Sequence, residues 1–135
     1  MMAALSNDAS FEEANKKTLR TILRTLNTFS ADIEASATIT TDGLMLAAVL
    51  GDGTDQDRFG AMCASLLALA DRAAQEIARG TLKQVLIEGD KGVMLLVYAG
   101  QDAVLAVAAR PTVNLGMVFI EARKTAAKIE DTMRG

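Results

Sequence analysis

Residues 59–70 read FGAMCASLLALA, twelve positions of which only Ser65 carries a polar side chain, bracketed by Asp57-Arg58 and Asp71-Arg72. Alanine and leucine dominate 55–78 and no proline interrupts it, so the stretch prefers to be a helix. A helix at the surface of a globular protein keeps one polar face. This one has none, so any fold for the chain must supply cover for every side of it.

One side suits a sheet: Phe59, Cys63, Leu66, Ala70, Ala73 and Ile77 follow a 4-3-4-3-4 spacing. The other carries Gly60, Ala61, Ala64, Ser65, Ala68 and Leu69, small with one exception. Small residues four apart let another backbone approach closely, a device best known from membrane helices. The chain has 135 residues, half of them apolar. That is enough for one core, with little chain to spare for a second layer. A second molecule is therefore the expected cover for the small-residue side, and the rival reading is a helix wholly inside one large domain.

The rest of the chain supplies the sheet. A first helix is expected over 11–28, with Leu19, Ile22, Leu23, Leu26 and Phe29 on one face and Ser10 with Glu13 as a capping box. Residues 1–10 are expected to be a flexible segment ahead of a single domain over 11–135. Ile33, Ala35, Ala37 and Ile39 alternate with Glu34, Ser36, Thr38 and Thr40, a strand with one wetter face. Asp42-Gly43 signals a hairpin returning through Leu44 to Leu50. Thr54, with Asp57 three residues on, can cap the second helix, and Arg79-Gly80 can end it. Three strands follow at Thr81–Glu88, Val93–Ala99 and Ala103–Ala109, the last two apolar throughout and so covered on both faces. Asn114 can cap a final helix to about Met133, with Val118, Ala122, Ala126, Ile129 and Met133 inward. The order is α-β-β-α-β-β-β-α, an α+β domain.

Several chemistries fall away. The chain has no histidine and one cysteine, Cys63, which removes Ser-His-Asp and Cys-His nucleophiles, histidine-containing zinc sites and thiolate metal clusters. A net charge of −3 argues against nucleic acid, whose phosphates need clustered Lys and Arg. The start MMAALSNDASFEE lacks the charge and apolar run of a secretion signal, and the longest apolar run is about half a membrane span, so a cytoplasmic location is expected. GDGTDQDRFG places glycines before a helix, but it lacks the Gly-Lys-Ser/Thr of a P-loop, and its aspartates would repel phosphate. An EF-hand from Asp55 would need ligands where Phe59 and Leu66 stand. Lys17, Arg20 and Arg24 share one side of the first helix and read as a solvated face, or as a contact for an acidic partner or membrane surface. Cys63, on the proposed core stripe, reads as an inert packing residue. Met62 falls between the two sides of the second helix.

The string from Thr40 to Gly116 resembles a bacterial member of the Roadblock/dynein-light-chain family. The likeness rests on an ordered set rather than one motif: the Asp42-Gly43 hairpin, the helix from Ala61-Met62, Arg79-Gly80, the strand triplet, and Asn114-Leu115-Gly116 opening the last helix. It extends over about residues 16–130. The resemblance implies a five-stranded antiparallel sheet in order 2-1-5-4-3, with helix 2 on one face and helices 1 and 3 on the other. It implies a homodimer through helix 2 and strand 3, for which Gly60, Ala61, Ala64, Ala68, Leu82, Val85 and Ile87 are the expected contacts. It also implies a non-catalytic regulator of a Ras-like small GTPase, without cofactor or metal, binding through Asp57, Arg58, Ser65, Leu69 and Arg72. The alternatives are a scaffold subunit of a larger assembly, and a small-ligand sensor whose cavity the crowded fourth and fifth strands disfavour.

Overall fold

The two fully apolar runs become the middle of a sheet, because only strands covered above and below can be apolar throughout. The computed structural model describes residues 2–111 and 114–134. It contains α1 (Met2–Phe29), β1 (Ile33–Thr40), β2 (Met45–Val49), α2 (Gln56–Glu76), β3 (Gln84–Gly89), β4 (Gly92–Ala99), β5 (Ala103–Ala109) and α3 (Leu115–Arg134). All strand pairs are antiparallel and the order is β2-β1-β5-β4-β3, as expected. Both central strands alternate between two cores. On one face Leu95, Val97, Leu105 and Val107 meet Leu19, Leu23 and Leu26 of α1 and Val118, Ala122, Ala126 and Ile129 of α3. On the other, Leu96, Val104 and Ala106 join Ala37 and Ile39 beneath Cys63 and Leu67 of α2.

Several local expectations need correction. Helix α1 begins at Met2 rather than 11, so Ser10 lies inside it rather than at its start; residues 2–10 hold no proline or glycine to stop a helix running back. The β1–β5 register shifts between Ile33 and Ala35. This bulge sends Ile33 to the α1/α3 core and leaves Ala37 and Ile39 on the α2 side. Part of the wetter face of β1 is buried: Ser36 and Thr38, at 1% and 0% exposure, lie on the side covered by α1, while Glu34 is exposed. The Ser36 hydroxyl donates to Asn27 Oδ1 at 2.6 Å, whereas Thr38 Oγ1 has no partner among the described residues.

The cap of α2 is Asp55, whose carboxylate accepts from the Arg58 N–H at 3.1 Å, and not Thr54. The helix ends at Glu76, short of Arg79-Gly80. Ala78 takes the left-handed position, φ 58°. Its N–H bonds to Gln75 O, and the Arg79 N–H reaches back to Ala74 O at 2.7 Å. This is a Schellman closure with alanine where glycine is the usual occupant. Strand β3 starts at Gln84 instead of Thr81, because the Leu82 N–H is held by Asp71 Oδ1 of α2 at 3.0 Å. Asn114 caps α3 as expected, accepting from the Met117 N–H at 3.3 Å. No helix among the described residues is long and apolar enough to cross a membrane.

Candidate functional site

The inward side of α2 is the row Gly60, Cys63 and Leu67. The expected stripe from Phe59 to Ile77 is one position out of phase: Ala73 is exposed and Ile77 is 64% exposed, while Leu67 is 3% exposed. Rows three or four apart starting at 59 and at 60 both follow the 3.6-residue period. The glycine at 60 decides between them.

A Cβ on Gly60 would stand 2.5 Å from the carbonyl oxygen of Gly43, and one on Gly43 would stand 3.4 Å from both Ala61 Cα and Ala64 Cβ. Gly60, Ala61 and Ala64 are therefore small because the β1–β2 turn sits against them. At that turn Gly43 takes a left-handed φ of 101°, which favours glycine. Gly60 is buried inside its own chain and leaves the expected dimer face. Ala61 and Ala64 flank the same turn, and Ala68, exposed, continues their side of the helix.

The opposite flank lacks cover. Met62, Leu69 and Ile77 are 61%, 63% and 64% exposed, and Phe59, Leu66 and Ala70 are half-buried beside them. A shallow depression in the sheet beside the β3–β4 turn is lined by Ile87, Met94 and Ala108 together with the charged Glu34, Asp90 and Lys91. Leu82 and Val85 pack partly against the α2 core, and Leu86 and Ile87 of β3 are 41% and 39% exposed. Strand β3 is also one of the sheet's two edges, β2 being the other. The helix flank and the edge strand both expose apolar side chains, and the edge strand carries an unpaired row of backbone groups. Met62, Ile77 and Leu86 were missed in the sequence. The signal was a second apolar row, Met62, Leu66, Leu69, Ala73 and Ile77, parts of which read as core.

Farther out, Arg58, Ser65, Leu69 and Arg72 share the solvent side of α2, with Asp57 one step round toward the β1–β2 turn; all five are exposed. Neither arginine makes an ion pair among the described residues, where the only pairs are Lys124–Glu121 and Arg134–Asp131. Lys17, Arg20 and Arg24 are likewise exposed on α1. Burial pushes the Cys63 thiol up to about 11, so little thiolate exists near neutral pH, in keeping with a packing role. Burial, and then the Asp71 carboxylate, raise the Tyr98 hydroxyl above its ordinary value. No cluster of three or more metal-ligating side chains occurs among the described residues. The arrangement offers contact area and two arginines without an ion-pair partner among the described residues.

Known proteins share this architecture. A family model described as the Roadblock/LC7 domain matches residues 23–109. Uncharacterized protein MJ1340 of Methanocaldococcus jannaschii is 39% identical over 98 residues, covering 73% of this chain and 85% of that protein. Among solved structures, an MglB with tetrameric arrangement has a TM-score of 0.79 at 17% identity, over 88% of this chain and 90% of that one. A Roadblock/LC7 domain from Streptomyces avermitilis has a TM-score of 0.80 at 19% identity, over 86% of this chain and 98% of that one. The two structural likenesses speak for the fold alone. The sequence relative is archaeal, so the likeness does not single out a bacterial source. With the family model spanning most of the domain and the sheet in its expected order, the chain belongs to the Roadblock/LC7 family.

Proposed function

We propose that the chain works as a cytoplasmic, non-catalytic homodimer that binds a Ras-like small GTPase. The carrying observation is the uncovered flank of α2 above the edge strand, with Met62, Leu69, Ile77 and Ile87 open to water. A second copy laid there would bury them, in an interface on the order of 1,600 Å² in total. The contacts differ from the small-residue set: Met62, Leu66, Leu69, Ala73 and Ile77 of α2 with Val85, Leu86 and Ile87 of β3, while Ala61, Ala64 and Ala68 stay on the other side. Likeness to an MglB of tetrameric arrangement supports self-association.

The solvent side of the paired helices would then present Arg58, Ser65 and Arg72 from both copies as one platform for a GTPase, with Leu69 taken into the contact between the helices. Two copies per GTPase follow from that symmetry. Arg58 and Arg72 stand on a helix rather than on a loop, so any effect on hydrolysis would come from favouring one conformation of the GTPase's switch segments. The test is binding of a Ras-like small GTPase from the same organism, in its GTP-analogue and GDP forms. Tighter binding of the GTP-analogue form, weakened by Arg58→Ala and Arg72→Ala in a chain that stays dimeric, supports the reading. Equal affinity for both forms leaves a scaffold, and no affinity for either points to a subunit of a larger assembly.

A further inference from the structure

We infer that the outer surface of α1 and α3, basic and set with uncovered apolar side chains, docks on an anionic phospholipid bilayer. This surface lies on the face of the sheet away from α2. The inference therefore stands apart from the dimer and the GTPase, and leaves α2 free for both.

The argument starts from how the charge is sorted. The chain is acidic, with a net charge of −3, yet no acidic residue occurs between Ala14 and Phe29 of α1, where Lys16, Lys17, Arg20 and Arg24 stand. The acids of that helix all precede Ala14. Helix α3 adds Arg123, Lys124, Lys128 and Arg134 against Glu121, Glu130 and Asp131. Two of those acids are already engaged, Glu121 with Lys124 at 3.7 Å and Asp131 with Arg134 at 2.7 Å. The chain between the two helices, residues 30–111, holds eleven acids against six cations. The molecule thus turns a positive side one way and its negative charge the other, which orients it against a negative plane.

Helical spacing sets these groups away from the core. Helix α1 buries Leu19, Leu23 and Leu26, and the ridge opposite that row is Lys17, Thr21, Arg24 and Thr28, all exposed. The threonines there add little polarity. Thr18, Thr21 and Thr25 donate their hydroxyls to the carbonyls four residues back, and Thr28 to the one three back, at 2.9–3.2 Å. With those hydroxyls already bonded to the helix, the surface can lose water without leaving them unpaired. On α3 the exposed residues Met117, Ile120, Lys124 and Lys128 form one ridge at spacings of three and four. Met117 and Ile120 are 46% and 50% exposed, and Phe29 of α1 is 43% exposed. The ridges are neighbours, because Thr25 and Phe29 line a shallow groove together with Thr125 and Lys128. An acidic peptide needs a cleft that fixes its backbone. Cations spread along two helices, with apolar tips standing among them, suit a plane of headgroups: the cations meet phosphates and the apolar tips enter the acyl boundary.

The chain has no tryptophan, so Ile120→Trp places a single reporter on this face. With vesicles of phosphatidylcholine carrying about a third phosphatidylglycerol, the variant should sediment and its emission should move to the blue. Leu44→Trp, at a position 62% exposed beside the β1–β2 turn, should sediment with no such move. Vesicles of phosphatidylcholine alone, or the anionic vesicles in high salt, should bind roughly tenfold less or weaker still. In the unlabelled chain Lys17→Gln and Arg24→Gln should each weaken binding about fivefold, whereas Arg79→Gln, the same loss of charge beyond α2, should change it less than about twofold. Equal losses from Arg79→Gln and Arg24→Gln would overturn the assignment to this face, as would equal shifts at positions 44 and 120 or sedimentation without a shift. No sedimentation with anionic vesicles at low salt would overturn membrane docking outright. Binding of polyglutamate as tight as that of the vesicles would give the face to an acidic protein and overturn the inference equally.

Discussion

The two faces of the sheet are finished to different degrees. Over one, α1 and α3 bring seven buried side chains down on Leu95, Val97, Leu105 and Val107, and even the polar Ser36 is enclosed with a partner. Over the other, α2 alone contributes Cys63 and Leu67 as fully buried side chains, and leaves Met62, Leu69 and Ile77 in water beside a half-covered strip at Ile87 and Met94. One face is a core made by the chain for itself. The other is covered by one helix only, which leaves apolar side chains open along its flank. The contrast teaches that burial within one chain and burial between chains can use the same residue types, so apolar composition does not tell them apart. What differs between the flanks of α2 is the neighbour: Gly43 packs against one side, while Met62, Leu69 and Ile77 on the other are exposed.

Truncation on the closed face should have the largest effect. Leu23, fully enclosed under α1, should cost about 2–5 kcal/mol as Leu23→Ala, measured by urea unfolding. Leu69→Ala, on the open face, should change the stability of a dilute monomer by under about 0.5 kcal/mol while weakening the dimer. Similar losses for both in dilute solution would erase the distinction between the faces.

The next contrast lies between the flanks of α2 itself. Gly60→Ala would gain about 1 kcal/mol at a free helix position. Here it should instead destabilise by about 1–3 kcal/mol, because the new Cβ meets a backbone oxygen. A stabilised Gly60→Ala chain would mean that the helix can slide off the turn.

How much of this could be read from residues alone follows from how local each signal was. The apolar run AVLAVAA needed no partner information, and Ala103–Ala109 is a strand from end to end. The Asp42-Gly43 turn and the Asn114 cap are likewise carried by adjacent residues. The bulge after Ile33 depends on the register against β5, which period-two alternation cannot show. Ser36 reads as a wet position until Asn27 arrives from α1. The stripe of Gly60, Ala61 and Ala64 did report a close backbone approach. The partner in that approach is Gly43, seventeen positions back in the same chain rather than in another one. The open flank was legible as apolar residues but not as open, since openness is set by the width of the sheet beneath it.

A smaller effect sharpens the account of the closed face. Thr38 Oγ1 is buried there without a partner among the described residues. Thr38→Val keeps the shape and removes the unbonded hydroxyl, and should raise stability by about 1 kcal/mol, seen as a higher Tm. A loss of stability would show that the hydroxyl is bonded in solution, to water or to a backbone carbonyl.

The central claim, that a second copy completes the α2 side of the sheet along β3, is tested most directly by amide hydrogen exchange at Leu86. Its N–H points away from β4 and has no acceptor within the chain if the hairpin alternates as its turn requires. At a protein concentration that holds the dimer, the Leu86 amide should exchange as slowly as those of Val85 and Ile87, and it should lose that protection on dilution. An alternating pattern, with Gln84, Leu86 and Glu88 exchanging fast at every concentration while Val85 and Ile87 stay protected, would show the edge open to water and contradict the claim.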